Sequence, residues 1–270
     1  MKLKIFCMSV KSLRVIEKLP KYIVPFGLGN LKYPNNWLTE NNGKNISHLN
    51  KYFGEATGMY WLWKNYMKNF EANDWIGFCQ YRRLWLNKLF ESKQKKNISS
   101  LYSNLLNPNN EIFSSCDAIL LQPTIISRRS LKAEFEYIYD NNVLNKCLDF
   151  VDEKNRVDFK KYLEGKQMSI CNMFITKPDI FVSYCEDMFH WIEKCYLYCR
   201  NKDLLKGDNT RLPIFMVERF TSFWFEKHCN VKYLSFARLG NFFLSEKTNI
   251  LLNPLKIPLT FRMYPTIHRY

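Results

Sequence analysis

The sequence is poor in histidine, with four in 270 residues, and it contains no Cys-x-x-Cys pair, no Asp-x-Asp triplet and no long apolar run. Each absence narrows the field. A membrane-crossing helix requires about 18 or more consecutive apolar residues, so no segment is expected to span a bilayer. The nine cysteines are scattered without metal-type spacing, and most lie inside apolar stretches. An odd, unpatterned set of this kind points to buried, reduced thiols and a cytoplasmic setting, not to a disulfide framework. Cys195 and Cys199 are spaced for one face of a helix, with His190 nearby, but so few histidines make a zinc site a weak reading. The first residues, MKLKIFCMSV, form a short apolar stretch followed by Lys11, Arg14 and Lys18, which is not the core of a signal peptide. The protein is expected to stay on the side where it is made.

What is present describes a folded chain. Hydrophobic residues make up 47% and aromatics 16% of the sequence, far from the apolar-poor mixtures that remain disordered. Acidic residues are the scarcer charge: 25 Asp and Glu face 40 Lys and Arg, for a net charge of +15. Such an excess attracts nucleic acid, an anionic membrane leaflet or a phosphorylated substrate. Single-stranded nucleic acid is held by phosphate contacts together with exposed stacking aromatics. Here the aromatics fall on helical stripes and in continuous apolar strands, which is core behaviour, and no nucleic-acid motif is present. No nucleic-acid partner is expected.

Along the chain, residues 4–9 read as a first strand. Residues 27–54 are rich in Asn, Gly, Lys and Pro, and a loop of that length is usually functional or disordered. A helix begins at Glu55, with Ala56, Met59, Tyr60, Trp63 and Met67 at helical spacing. Continuous apolar runs at residues 75–79, 117–121 and 170–176 read as strands buried on both faces. Pro178 opens a helix striped by Phe181, Tyr184, Cys185, Met188, Phe189, Ile192 and Cys195, and a further helix from about Pro213 carries Val217, Phe220 and Trp224. Buried strands alternating with amphipathic helices predict a three-layer α/β sandwich around a mostly parallel sheet. The division expected is one domain over residues 1–245 and a basic, proline-containing tail over residues 246–270.

The candidates for chemistry cluster after strands. Gln80-Tyr81-Arg82-Arg83 follows the run at residues 75–79, where open α/β sheets place their ligand crevices. If the backbone stays extended there, Arg82 and Arg83 point to opposite faces, so that one reaches a diphosphate and the other braces the structure. With no Asp-x-Asp to hold a divalent ion, the nearest substitute is Glu134-Phe135-Glu136, read as a solvated helical face, and no metal-ligand set is assigned. Positive side chains can stabilise a departing diphosphate without a metal. Glu218 lies at the edge of the apolar stripe of its helix, where a carboxylate could accept a proton from an acceptor hydroxyl.

Taken in order, these stretches resemble a family of bacterial capsular and exopolysaccharide glycosyltransferases catalogued as uncharacterised-domain family 4422. The resemblance rests on Tyr22-Ile23-Val24-Pro25; on Asn45-Ile46-Ser47; on the helix Glu55-Ala56-Thr57-Gly58-Met59-Tyr60-Trp61-Leu62-Trp63-Lys64-Asn65; on Asp74 through Gln80-Tyr81-Arg82-Arg83; on Asn172-Met173-Phe174-Ile175; and on Arg211 with Glu218-Arg219. It covers residues 4–232. Two departures stand out: Ser9-Val10-Lys11 replaces the family's Thr/Ser-His-Lys, and Gln80 replaces the histidine before Tyr-Arg-Arg. The resemblance implies a GT-A-like nucleotide-sugar-binding core and transfer of a hexose, in some members galactofuranose, from a UDP-sugar to a glycan or lipid-linked acceptor. The net charge of +15 and the tail from Ile250 to Tyr264, which mixes apolar residues with Lys256 and Arg262, lead to the expectation of a peripheral position at the inner face of the cell membrane, on an anionic surface. The expected roles are Arg82 and Arg83, with Tyr81, at the diphosphate; Ser9 and Lys11 at the nucleotide; Glu55 and Asn172 at sugar or acceptor hydroxyls; Arg211 and Arg219 at the donor; and Glu218 as base. The alternatives from other classes are a non-catalytic scaffold of a polysaccharide assembly complex and a basic nucleic-acid-binding protein.

Overall fold

The computed structural model describes residues 1–89, 94–97, 101–139, 142–239 and 260–264. In chain order the strands are β1 (Leu3–Ser9), β2 (Ile23–Gly27), β3 (Leu38–Thr39), β4 (Trp75–Gln80), β5 (Arg83–Trp85), β6 (Gln94–Asn97), β7 (Ala118–Leu121), β8 (Thr124–Ile125), β9 (Gln167–Met168), β10 (Phe174–Thr176), β11 (Val231–Leu234), β12 (Phe236–Leu239) and β13 (Thr260–Tyr264). The α-helices are α1 (Arg14–Glu17), α2 (Asn50–Phe53), α3 (Ala56–Asn65), α4 (Leu131–Tyr139), α5 (Val143–Cys147), α6 (Glu153–Leu163), α7 (Pro178–Asn201) and α8 (Leu212–His228).

The central sheet has the order β3-β2-β1-β4-β10-β7-β11. β3, β2, β1, β4, β7 and β11 run in one direction, and β10 runs against its two neighbours. This is the mostly parallel sheet that the apolar runs predict. Both of its faces are covered, which is why its strands are apolar without alternation. Phe6, Met8, Phe26, Ile76, Phe78, Leu120 and Phe174 pack with α3, α7 and α8, whereas Ile5, Cys7, Trp75, Cys79, Ile119 and Ile175 face the opposite layer, with Ile16 of α1. Successive strand residues therefore serve different cores, as the two-residue period requires. Gly77 sits where β4 and β10 approach closely, since a Cβ there would lie 2.7 Å from Ile175.

Beyond β4 the chain does not stay extended. Tyr81 and Arg82 form a tight turn, and β5 returns antiparallel with Gln80 opposite Arg83. The condition under which Arg82 and Arg83 would point to opposite faces, an extended backbone, is not met: the turn carries Arg82 at its tip and folds Arg83 back beside Gln80. An antiparallel extension continues through β12, β13 and β6. Residues 246–259 and 265–270 of the expected tail, and the boundary near Glu246, lie outside the described residues. The long polar segment 27–54 contains β3, a 3-10 turn at Ser47–Leu49, and α2. A ribbon of β8 and β9 stands beyond the end of β7.

Candidate functional site

The carboxyl ends of the parallel strands meet the start of the antiparallel β10 at one edge of the sheet. In an open α/β sheet this is where ligands bind. The apolar run 170–176 was expected to be strand throughout, but regular pairing begins at Phe174 because Cys171 (φ 75°) and Asn172 (φ 48°) are in the left-handed region. Left-handed backbone at non-glycine residues is costly and tends to be kept where function uses it. This bend turns the Cys171 amide and the Asn172 side chain toward α3 and α8.

Around it, five of the expected residues converge. Glu55 stands immediately before α3, held by a local network in which Asn50 Nδ2 and Thr57 Oγ1 both donate to the Gly54 carbonyl, at 3.0 and 2.9 Å. Its Oε1 accepts from Asn172 Nδ2 at 3.1 Å and from Gln80 Nε2 at 3.4 Å. Its Oε2 lies 3.8 Å from Arg211 Nη2, with the Glu55 side chain largely covered and that of Arg211 half exposed. Gln80 also donates to the Cys171 carbonyl at 3.0 Å and accepts from Arg83 Nη1 at 2.5 Å. The Cys171 amide donates to Glu218 Oε1. Thr221 donates to Asn172 Oδ1 at 3.1 Å, and Tyr184 lies 2.6 Å from the Thr221 hydroxyl. Glu55, Arg83, Asn172 and Glu218 thus share one hydrogen-bonded cluster with Gln80 near its middle, and Arg211 joins it through its ion pair with Glu55.

Glu218 has the most altered electrostatics of the set. Part of its surface reaches solvent, yet protein crowds the carboxyl closely enough that desolvation raises its pKa above the ordinary 4.5. The Cys171 amide and the charges of Arg219 and Arg83 pull the other way, and the negative charge of Glu55 adds to the rise. A carboxylate tuned upward is a better proton acceptor near neutral pH than an exposed one.

The other expected residues are arranged differently. Ser9 ends β1, one residue past the pairing of Met8 with Gln80. It is buried, and its hydroxyl is tied to Lys11, donating to the Lys11 carbonyl at 2.5 Å and accepting from its amide at 3.1 Å. Lys11 is exposed at that same edge. Tyr81 and Arg82 are half-buried in the turn, with the Arg82 guanidinium 5.2 Å from the Tyr81 ring. Arg219 does not join the cluster. It is buried, donates to the Leu131 carbonyl at 3.2 Å and the Phe215 carbonyl at 3.1 Å, and pairs with Glu134. Glu134, expected on a solvated face, is therefore a largely covered ion-pair partner. The reason is helical geometry: adjacent residues diverge by about 100° around the axis, so Glu218 and Arg219 cannot both face the site.

The sequence singles out Gln80 as the polar residue closing an apolar strand but gives it no role, and it passes over Thr221 and Tyr184, which are legible only once α7 and α8 are packed together. Among the described residues no group of three or more His, Cys, Asp or Glu side chains is placed to hold a metal ion. Cys195 and Cys199 are buried, with Cys195 Sγ 4.0 Å from the Cys147 carbonyl, while His190 is exposed and lies 3.4 Å from Asp152. The three do not form a common site.

No curated protein matches the chain in sequence. A solved structure described as the WbbM bifunctional glycosyltransferase in its apo form shares the fold, with a TM-score of 0.69 at 18% identity over 89% of this chain. The chain spans 46% of the length of that structure. Residues 4–229 match the family model described as a domain of unknown function, DUF4422, and the chain belongs to that family.

Proposed function

We propose that this chain is a glycosyltransferase that moves a hexose, galactofuranose among the candidates, from a UDP-sugar to a hydroxyl of a growing surface glycan or its lipid-linked precursor. The observation that carries the reading is Glu218, a carboxyl with a raised pKa, held by the Cys171 amide at the sheet edge beside Arg83 and the Glu55–Asn172 pair. The likeness of fold to a glycosyltransferase and the family resemblance support it.

The chemistry assigned to these groups is a displacement. The acceptor oxygen forms a bond to the anomeric carbon as the bond from that carbon to the diphosphate oxygen breaks. Glu218 takes the hydroxyl proton, and the nucleoside diphosphate leaves with the bonding electrons. Arg83, held by the neutral amide of Gln80, Arg82 in the adjacent turn, and Arg211 stabilise the negative charge that develops on the diphosphate. Glu55 and Asn172 orient sugar or acceptor hydroxyls, and holding two reactants in register supplies much of the rate. Ser9 and Lys11 border the nucleotide at the end of β1. Arg219 is assigned to the packing of α8.

The test is a panel of UDP-hexoses, including UDP-galactose in its pyranose and furanose forms, incubated with the purified protein with and without oligosaccharide acceptors. UDP release that an acceptor stimulates is the expected result. Absence of both UDP release and measurable UDP binding across the panel overturns the reading.

A further inference from the structure

Outside the site, one face of the fold combines exposed apolar side chains with unusual positive charge. Tyr137 is 70% and Ile138 52% exposed on α4, and Ile125 of β8 is 42% exposed. Arg128 and Arg129, also exposed, lead into α4, and the Arg129 guanidinium stacks 3.9 Å from the centre of the Tyr137 ring. Exposed Lys166 is close in the chain path, its carbonyl accepting the Ile126 amide at 3.2 Å. Of the two acidic residues on α4, Glu134 is turned inward onto Arg219, and Glu136 is half-buried beside Tyr137. Glu164 is the neighbouring exposed acid. The packing of α8 thus withdraws one negative charge, and Arg128, Arg129 and Lys166 outnumber the two acids that remain, Glu136 and Glu164.

The face also has a fixed relation to the site. β8 follows β7 after Gln122 and Pro123, β9 pairs with it, and Ser169 Oγ donates to the Leu121 carbonyl at 2.6 Å just before the Cys171 bend. The exposed residues are therefore mounted on the same carboxyl edge of the sheet as Glu218.

We infer that the surface formed by Ile125, Arg128, Arg129, Tyr137, Ile138 and Lys166 docks the protein on an anionic phospholipid bilayer. Charge complementarity selects this occupant. Arginines and a lysine beside a tyrosine and two isoleucines match an interface with anionic headgroups above and acyl chains below, and the net charge of +15 on the whole chain adds long-range attraction. Tyrosine suits that boundary because its ring is apolar and its hydroxyl wet. The inference goes beyond the proposed transfer reaction, and binding can be measured whether or not that reaction is the right one.

The experiment uses the full chain, sedimented with vesicles of phosphatidylcholine alone or mixed with phosphatidylglycerol. The wild type is expected to bind the mixed vesicles and to be released by high salt. Each basic residue at such a surface is worth roughly a fivefold change in partitioning, so Arg128→Glu with Arg129→Glu should reduce binding by at least about 25-fold. Tyr137→Ser with Ile138→Ser should weaken binding to the mixed vesicles without changing its salt dependence. Both pairs should leave the melting temperature, UDP binding and activity on a soluble acceptor as in the wild type. Wild-type protein that ignores anionic vesicles, or variants that bind them as well as wild type, overturns the inference. So does a shift in oligomeric state caused by either pair, which would make a second copy of the chain the occupant.

Discussion

At the scale of single residues, the cluster separates groups that must keep their charge from groups that must be ready to change it. Arg83 hydrogen-bonds to the neutral Gln80, so its charge remains available to an incoming phosphate. Arg83→Ala is expected to lower turnover by at least about 100-fold with the melting temperature unchanged, since one preorganised donor at a departing anion is typically worth that much. Normal turnover in a properly folded variant would remove the arginine from the diphosphate. Glu218 is the opposite case. Its folded-state pKa is raised, chiefly by burial, so its contribution to stability is present below the ordinary value and is lost as pH rises through the folded value. Above the folded value the ionised carboxylate therefore costs stability. Glu218→Gln should raise the melting temperature at pH 7 while abolishing transfer and leaving UDP affinity nearly unchanged. In the wild type, kcat/KM should rise with pH through a value above the usual carboxylate range. A parallel loss of binding and rate in the variant would place Glu218 on the donor instead.

At the scale of elements, α8 is tied in two directions. Its Glu218 side reaches the Cys171 bend, and its Arg219 side is buried against α4 through Glu134 and two carbonyls. Breaking a buried pair by removing one partner leaves an uncompensated charge and costs about 3–5 kcal/mol. Arg219→Ala is therefore expected to lower the unfolding free energy by roughly that amount, while UDP affinity in the remaining folded protein stays within a few-fold of wild type. Denaturant titration and calorimetric binding measure the two effects separately. A variant with wild-type stability and lost nucleotide binding would return Arg219 to the donor site. The same pairing turns Glu134 away from solvent, so one contact both anchors a helix and removes one negative charge from the face proposed to meet a membrane.

At the scale of the whole molecule, two sheets of different character share β4. The mostly parallel part is enclosed by helices and loops, whereas the extension through β5, β12, β13 and β6 is antiparallel and joins residues 83–97 to strands more than 130 residues later in the chain. β13 pairs on one side with β12 and on the other with β6. Deleting residues 250–270 would expose both neighbours as unpaired edges, which invite edge-to-edge association. The truncated protein should melt at a lower temperature and scatter light at concentrations where the full chain stays clear. If it elutes and melts as the full chain does, β13 is dispensable to the fold.

The sequence by itself determined the elements whose pattern is local. Apolar runs without alternation marked β1, β4 and β7 because strands covered on both faces need no polar side, and Pro178 with its stripe marked α7 because helical spacing repeats within the element. It also determined the sheet edge at which Gln80 and Arg83 would lie, since a polar group ending a buried strand has few other places to go. What depends on residues distant in sequence was decided by the tertiary structure. The turn at Tyr81 and Arg82 exists because β5 finds a partner in β12, the left-handed bend at Cys171 and Asn172 because Glu218 and Glu55 accept from it, and the inward role of Arg219 because α4 packs where a ligand was expected. Periodicity states which face of a helix is apolar, but it does not state what stands opposite the remaining faces. For Glu218 and Arg219, neighbours in the chain, that difference separates a proposed base at the sheet edge from a buried tie between helices.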